Sequence, residues 1–153
     1  MKQRFYLDTS VFGGVFDEEF TEFSLQLFER IKIGEITCIY SELVESELVK
    51  APKRVRTYFK ELPAQYLEKV EVNDDILALA TKYVDEKVVG QTSFDDCIHI
   101  ATATYYKVDI LVSWNFKQIV NVYRIRGYNS INIRMNYSVL EIRSPKEIID
   151  YED

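Results

Sequence analysis

Apolar and polar positions along the 153-residue chain switch between two periods, and the switches mark out its elements. Residues 3–8 (QRFYLD) read as a short strand that ends at Asp8. Over 19–33 the period becomes helical, with Phe20, Phe23, Leu27 and Ile31 on one face and Gly34 as the stop. Residues 35–40 (EITCIY) form a β-branched strand, after which Ser41 offers an N-cap for a helix over 42–50. Pro52 opens another helix that ends near Pro63, and a short strand follows at 67–72. Asp74 and Asp75 suit the start of a helix running to about Val89, with Gly90 past its end. Thr92 or Ser93 caps a helix over 94–106, and 108–113 (VDILVS) has the composition of a buried strand. A short helix at 115–123 and a last strand at 130–134 (SINIR) are expected next. Ser144-Pro145-Lys146-Glu147 joins a capping box to a proline at the first helical position, so a closing helical turn is predicted. Strands alternating with helices predict a parallel sheet covered on both faces, with ligands held beyond the carboxyl ends of its strands.

Composition narrows the function classes. Hydrophobic residues make up 47% and charged residues 29%, which describes a globular domain, and no apolar run is long enough to span a bilayer. An acid at Asp8 interrupts the N-terminal stretch, so no signal peptide is expected. Cys38 and Cys97 lie far apart in apolar surroundings, which predicts buried thiols in a reduced, cytoplasmic setting. With one histidine and two separated cysteines, a structural zinc site has too few ligands. The net charge of −6 argues against a protein that coats nucleic acid non-specifically. It permits a site of concentrated acids neutralised by a metal. The segment 50–60 (KAPKRVRTYFK) runs the other way, with Lys50, Lys53, Arg54, Arg56 and Lys60 and no acid. It is either a solvated helix face or a patch for a phosphate backbone.

Each acid that could carry chemistry also has a plain structural reading. Asp8, at the strand end in YLDTS, could be a turn or N-cap aspartate. Asp95 and Asp96 stand in the first turn of a helix, where acids favour the dipole. Glu47 competes with Glu42 and Glu45 on one helix and differs from them in lying at the margin of its buried face. His99 follows Asp96 by three residues and shares its helix face, either as a base or, more simply, as a partly buried histidine bonded to a nearby acid. A phosphatase of the haloacid-dehalogenase type would need a second aspartate where Ser10 stands.

Together the motifs FYLDTS, SELVESEL, DCIHIATA and LVSWNF, in this order and spacing, resemble the PIN-domain ribonucleases, including VapC-type toxins. The resemblance runs over nearly the whole chain. It implies a three-layer α/β/α sandwich with a central, mostly parallel sheet over 1–143 and a short C-terminal helical tail at 144–153. It implies that Asp8, Glu47 and Asp96 hold Mg²⁺ or Mn²⁺ for hydrolysis of RNA, with Asn115 as a fourth catalytic position. Relatives often carry aspartate there, so Asn115 brings no charge and a weaker, one-metal site is expected. Thr9, Ser113, Lys53 and Arg54 are the expected substrate contacts, and Trp114 is expected to pack at the pocket rim. The resemblance also implies a small antitoxin as partner and a homodimer. The alternative is a PIN fold with weak or no catalysis that binds RNA or protein.

Overall fold

The computed structural model describes residues 2–89 and 94–150. The chain runs β1 (Gln3–Leu7), α1 (Thr9–Gly14), α2 (Thr21–Lys32), β2 (Ile36–Ser41), α3 (Glu42–Val49) and α4 (Lys53–Lys60). A single 3₁₀ turn (Ala64–Tyr66) leads into β3 (Leu67–Val70) and α5 (Asp74–Asp85). Then come α6 (Phe94–Tyr105), β4 (Ile110–Val112), α7 (Val122–Arg134), β5 (Ile142–Arg143) and α8 (Pro145–Asp150). Gly90, Thr92 and Ser93, the expected stop and caps between α5 and α6, lie outside the described residues.

All five strands are parallel, in the order β3-β2-β1-β4-β5. The sheet is therefore the expected one, with no antiparallel member among the described residues. Phe5 is in register with Cys38 on β2 and Ile110 on β4, so β1 is the central strand. Phe5, Tyr6 and Leu7 are all buried, which requires cover on both faces. The helices sort by their contacts into α5, α6 and α7 on one hand and α1, α2, α3, α4 and α8 on the other. This is the α/β/α arrangement. Because β2 and β3 are laid down on one side of β1 and β4 and β5 on the other, the strand order reverses between β1 and β4. A crevice opens there beyond the carboxyl ends.

Local signals place most elements. Asn73 accepts from the Ile76 N–H at 2.9 Å and caps α5. Ser144 and Glu147 make the reciprocal capping box, at 3.1 and 3.3 Å. Gly34 ends α2 in the left-handed region (φ 83°), with the Glu35 N–H returning to the Arg30 carbonyl at 3.0 Å. A Cβ on Gly34 would lie 2.7 Å from the Tyr66 ring, so glycine is required on two counts.

Two expectations fail after β4. Residues 115–121 form no helix, and helix begins only at Val122 with α7; the Ile119 and Val120 N–H groups both turn back to the Asn115 carbonyl. The expected strand at 130–134 lies inside α7, which Asn121 caps. Ile131 and Ile133 suggested alternation, but Ile131 is buried with Tyr128 and Asn132 while Ile133 is 59% exposed. Spacings of three and four define the buried face, and that is the helical period. The fifth strand comes later, at Ile142–Arg143, too short to display any period. Helix α1 was also illegible, its six residues being fewer than two turns.

Candidate functional site

The end of β1 sets Asp8 in the crevice. Its N–H donates to the Val112 carbonyl at 3.2 Å, extending the β1–β4 pairing by one step. Asp8 occupies the N-cap position of α1, yet its side chain caps nothing. Instead Oδ1 accepts from the Ser10 hydroxyl at 2.5 Å and Oδ2 from the Ser113 hydroxyl at 2.6 Å. Asp8 is only 4% exposed. Burial raises its pKa above the ordinary aspartate value; His99 and the two hydroxyls oppose the rise, and the charge of Glu47 adds to it.

Glu47 comes from α3, whose start is fixed by Ser41 accepting from the Val44 N–H. The competing glutamates are engaged elsewhere: Glu42 accepts from the Val72 N–H at 2.8 Å, and Glu45 pairs with Lys69 at 2.8 Å. Only Glu47 turns inward. Its Oε1 accepts from the Thr9 hydroxyl and from His99 Nε2, each at 2.7 Å. Burial would raise its pKa, but the bond and charge of His99, with Thr9, hold it below the ordinary value.

Asp96 sits in the first turn of α6, and of the adjacent pair it is the less exposed, Asp95 facing solvent. Asn115 donates its amide to Asp96 Oδ2 at 3.2 Å, and the Gln118 N–H donates to Asn115 Oδ1 at 3.0 Å. The backbone donor fixes which side of the amide is oxygen. Asn115 thus meets Asp96 as a donor, its oxygen already engaged. Burial pushes the Asp96 carboxyl up to about 6 against the pull of His99, with Asp8, Glu47 and Asp95 adding to the rise. Asp8, Glu47 and Asp96 therefore sense one another although they lie on three separate elements.

His99 is 2% exposed and makes the bond to an acid that its plain reading predicted. Burial would lower its pKa, but the Glu47 bond and the charges of Asp8, Glu47 and Asp96 raise it. Its Nδ1 shares a hydrogen bond with the Tyr6 hydroxyl at 2.7 Å, and that hydroxyl shares another with Ser41 Oγ at 2.8 Å. Sequence reasoning passed over Ser10, Tyr6 and Ser41 as site residues. The available signal for Tyr6 and Ser10 was their position two residues either side of Asp8, which for Tyr6 means the same face of one strand.

The remaining candidates fall into two groups. Thr9 and Ser113 join the acid network as donors, and Ser113 is wholly buried. Lys53 and Arg54 are exposed on α4, with the Arg54 guanidinium 5.3 Å from the centre of the Phe16 ring. Trp114 is buried and stacked on Phe20 with centroids 4.2 Å apart, while its Nε1 donates to Ser24 at 2.8 Å, so it packs as expected. A surface groove lies elsewhere, between α3 and α4, lined by residues such as Leu48, Val49 and Phe59. It contains none of the three clustered acids, and the chemistry follows the acids.

The donor set is hard oxygen, which suits Mg²⁺ or Mn²⁺. Among the described residues, no three His, Cys, Asp or Glu side chains stand as a ready-made metal-holding group. Each of the three acids has at least one oxygen turned to a protein donor. Cys38 and Cys97 are free and buried, and burial pushes both thiols up to about 12. No described helix is long and apolar enough to cross a membrane.

The family model for the PIN domain matches residues 5–118, a span that holds every acid of the cluster and Asn115. Among solved structures, VapBC2 from Rickettsia felis bound to a DNA fragment from its promoter is similar at TM-score 0.59 and 14% identity, covering 93% of this chain and 98% of that one. FitAcB from Neisseria gonorrhoeae gives TM-score 0.58 at 11% identity, covering 93% and 98%. A toxin–antitoxin complex from Klebsiella pneumoniae gives 0.55 at 18%, covering 73% and 87%. No curated protein matches the sequence.

Proposed function

Because this chain belongs to the PIN domain family, whose members are generally nucleases, we propose that it is a metal-dependent ribonuclease and the toxin of a toxin–antitoxin pair. One observation carries the reading: at the switch point of the sheet, hydrogen bonds link Asp8 through Ser113 and Asn115 to Asp96, while Thr9, next to Asp8 in the chain, donates to Glu47. They are the residues that would hold Mg²⁺ or Mn²⁺, which when bound supplies an activated water and offsets charge on the phosphodiester.

The protein's own groups then have definite tasks. Ser10 and Ser113 orient Asp8, and Thr9 and His99 orient Glu47. Asn115 holds Asp96 without adding charge, which favours one ion over two. Lys53 and Arg54 attract the RNA backbone toward an otherwise acidic protein. The likeness to a toxin–antitoxin complex supports a small antitoxin as partner, and the family supports a homodimer.

A second reading, a PIN fold that binds RNA or protein without cutting, is favoured by the donors already engaged on all three acids. Labelled RNA incubated with Mn²⁺ or Mg²⁺, with and without EDTA, beside an Asp8→Asn variant, separates the two. Cleavage by wild type alone, lost with EDTA, is the expected result. Cleavage that survives EDTA or the substitution refutes the metal mechanism, and RNA binding with no cleavage of any substrate supports the second reading.

A further inference from the structure

Only the bond from His99 to Glu47 enters the function just proposed, yet Tyr6 and His99 form a buried polar chain joining all three acid-bearing elements. Tyr6 lies on β1 two residues before Asp8, whose extended backbone continues the strand by one step, so the two side chains leave the same face. His99 lies three residues after Asp96 on α6, so those two share a helix face. The Tyr6 hydroxyl and His99 Nδ1 are 2.7 Å apart, which ties the Asp8 strand to the Asp96 helix.

From this junction two bonds reach α3. The Tyr6 hydroxyl meets Ser41 Oγ at 2.8 Å, and Ser41 is the N-cap of that helix. His99 Nε2 meets Glu47 Oε1 at 2.7 Å, in its second turn. The helix that carries the third acid is thus held at two points by one Tyr–His pair. Tyr6 and His99 are essentially without solvent, so water cannot replace either partner and a broken bond would leave a buried polar atom unpaired.

We propose that Tyr6 and His99 act as a positioning clamp that sets Glu47 relative to Asp8 and Asp96, and so sets the affinity of the site for a divalent cation. The proposal rests on the metal reading above for its ligand. The clamp itself is a property of the metal-free protein. Partners of this kind, one bond removed from a metal, typically alter affinity 10–100-fold when removed. His99→Leu deletes both bonds. Tyr6→Phe deletes the bond to Nδ1 and the bond to Ser41 while keeping the ring in the core. His99→Gln retains an amide donor that can reach Glu47.

The test is Mn²⁺ binding by calorimetry to the purified full chain, with thermal melts in EDTA to verify folding. His99→Leu is expected to bind Mn²⁺ roughly 10–100-fold more weakly than wild type, Tyr6→Phe to fall between them, and His99→Gln to recover most of the loss. A merely structural role would lower the melting temperature of Tyr6→Phe and leave its Mn²⁺ affinity at the wild-type value, and that result overturns the clamp. If wild type takes up no Mn²⁺, the metal reading fails, and the clamp is judged without metal. The chain has a single histidine, so ¹⁵N-histidine spectra show one pair of ring-nitrogen signals. Displacement of the Nε2 signal by Glu47→Gln and of the Nδ1 signal by Tyr6→Phe supports the clamp, and signals that ignore both substitutions overturn it.

Discussion

Asn115 donates to Asp96 at 3.2 Å while the oxygen of the same amide accepts from the Gln118 backbone. Asn115→Asp keeps the acceptor but sets a second carboxylate against Asp96. Without metal the repulsion should destabilise the protein by about 1 kcal/mol, a fall of roughly 2–4 °C in melting temperature for a domain of this size. With Mg²⁺ or Mn²⁺ the added charge should favour binding, so the variant should show the larger melting-temperature rise on metal addition. Melts of both proteins in EDTA and in metal check this, and an equal rise would sink the argument.

Ser113 is buried between two obligations, since its hydroxyl donates to Asp8 and accepts from the Asn115 N–H at 2.9 Å. Ser113→Ala leaves a buried carboxylate short of a donor and a backbone N–H short of an acceptor. Destabilisation of about 2 kcal/mol is expected in chemical denaturation, with Ser113→Thr closer to wild type. A loss under about 0.5 kcal/mol, the range of ordinary surface changes, would mean that water replaces both bonds.

Stability without metal should fall as pH rises through the acid range. Asp96 titrates near 6 in the fold against 3.8 as a free group, so the folded protein holds a proton that the unfolded chain has released. The Asp96 share of stability is lost across that window and does not change further above it. Burial shifts Asp8 in the same direction. His99, whose folded pKa is raised, contributes below 6.5 and loses its contribution as pH climbs through the folded value. Glu47, lowered in the fold, is at full contribution above 4.5 and works against the trend only at lower pH. Asp96→Asn should reduce the slope below pH 6, leaving the part due to Asp8, and raise neutral-pH stability by about 1 kcal/mol, a figure discounted for partial exposure. Melting temperatures in EDTA across the range decide it, and an unchanged slope in the variant would contradict it.

The register of α7 can be tested with two isoleucines. Ile131→Ala should cost about 2–4 kcal/mol because Ile131 is buried, whereas Ile133→Ala, at an exposed position, should cost about 0.5 kcal/mol or less. Urea unfolding of the two variants measures both. Equal losses would fit a strand or a different helical register.

Sequence by itself determined whatever is decided within a few residues. The apolar period gives α2 and its inner face, Ser41 and the Ser144–Glu147 box give helix starts, and Gly34 gives a stop. It also set Asp8 at a strand end and Asp96 in a first helical turn, because element ends are local events. Tertiary structure decided which groups meet across long separations. Ser113 and Asp8 are 105 residues apart and Thr9 and Glu47 are 38 apart, and no local pattern encodes such pairs. The same holds for the partners of the α3 glutamates, Lys69 for Glu45 and Thr9 and His99 for Glu47, and for α7, whose buried face is defined by what it packs against. Periods and caps follow from backbone geometry, which repeats along the chain. Hydrogen-bond partners follow from folding the chain back on itself, and His99 found Tyr6 and Glu47 only once three elements were brought together.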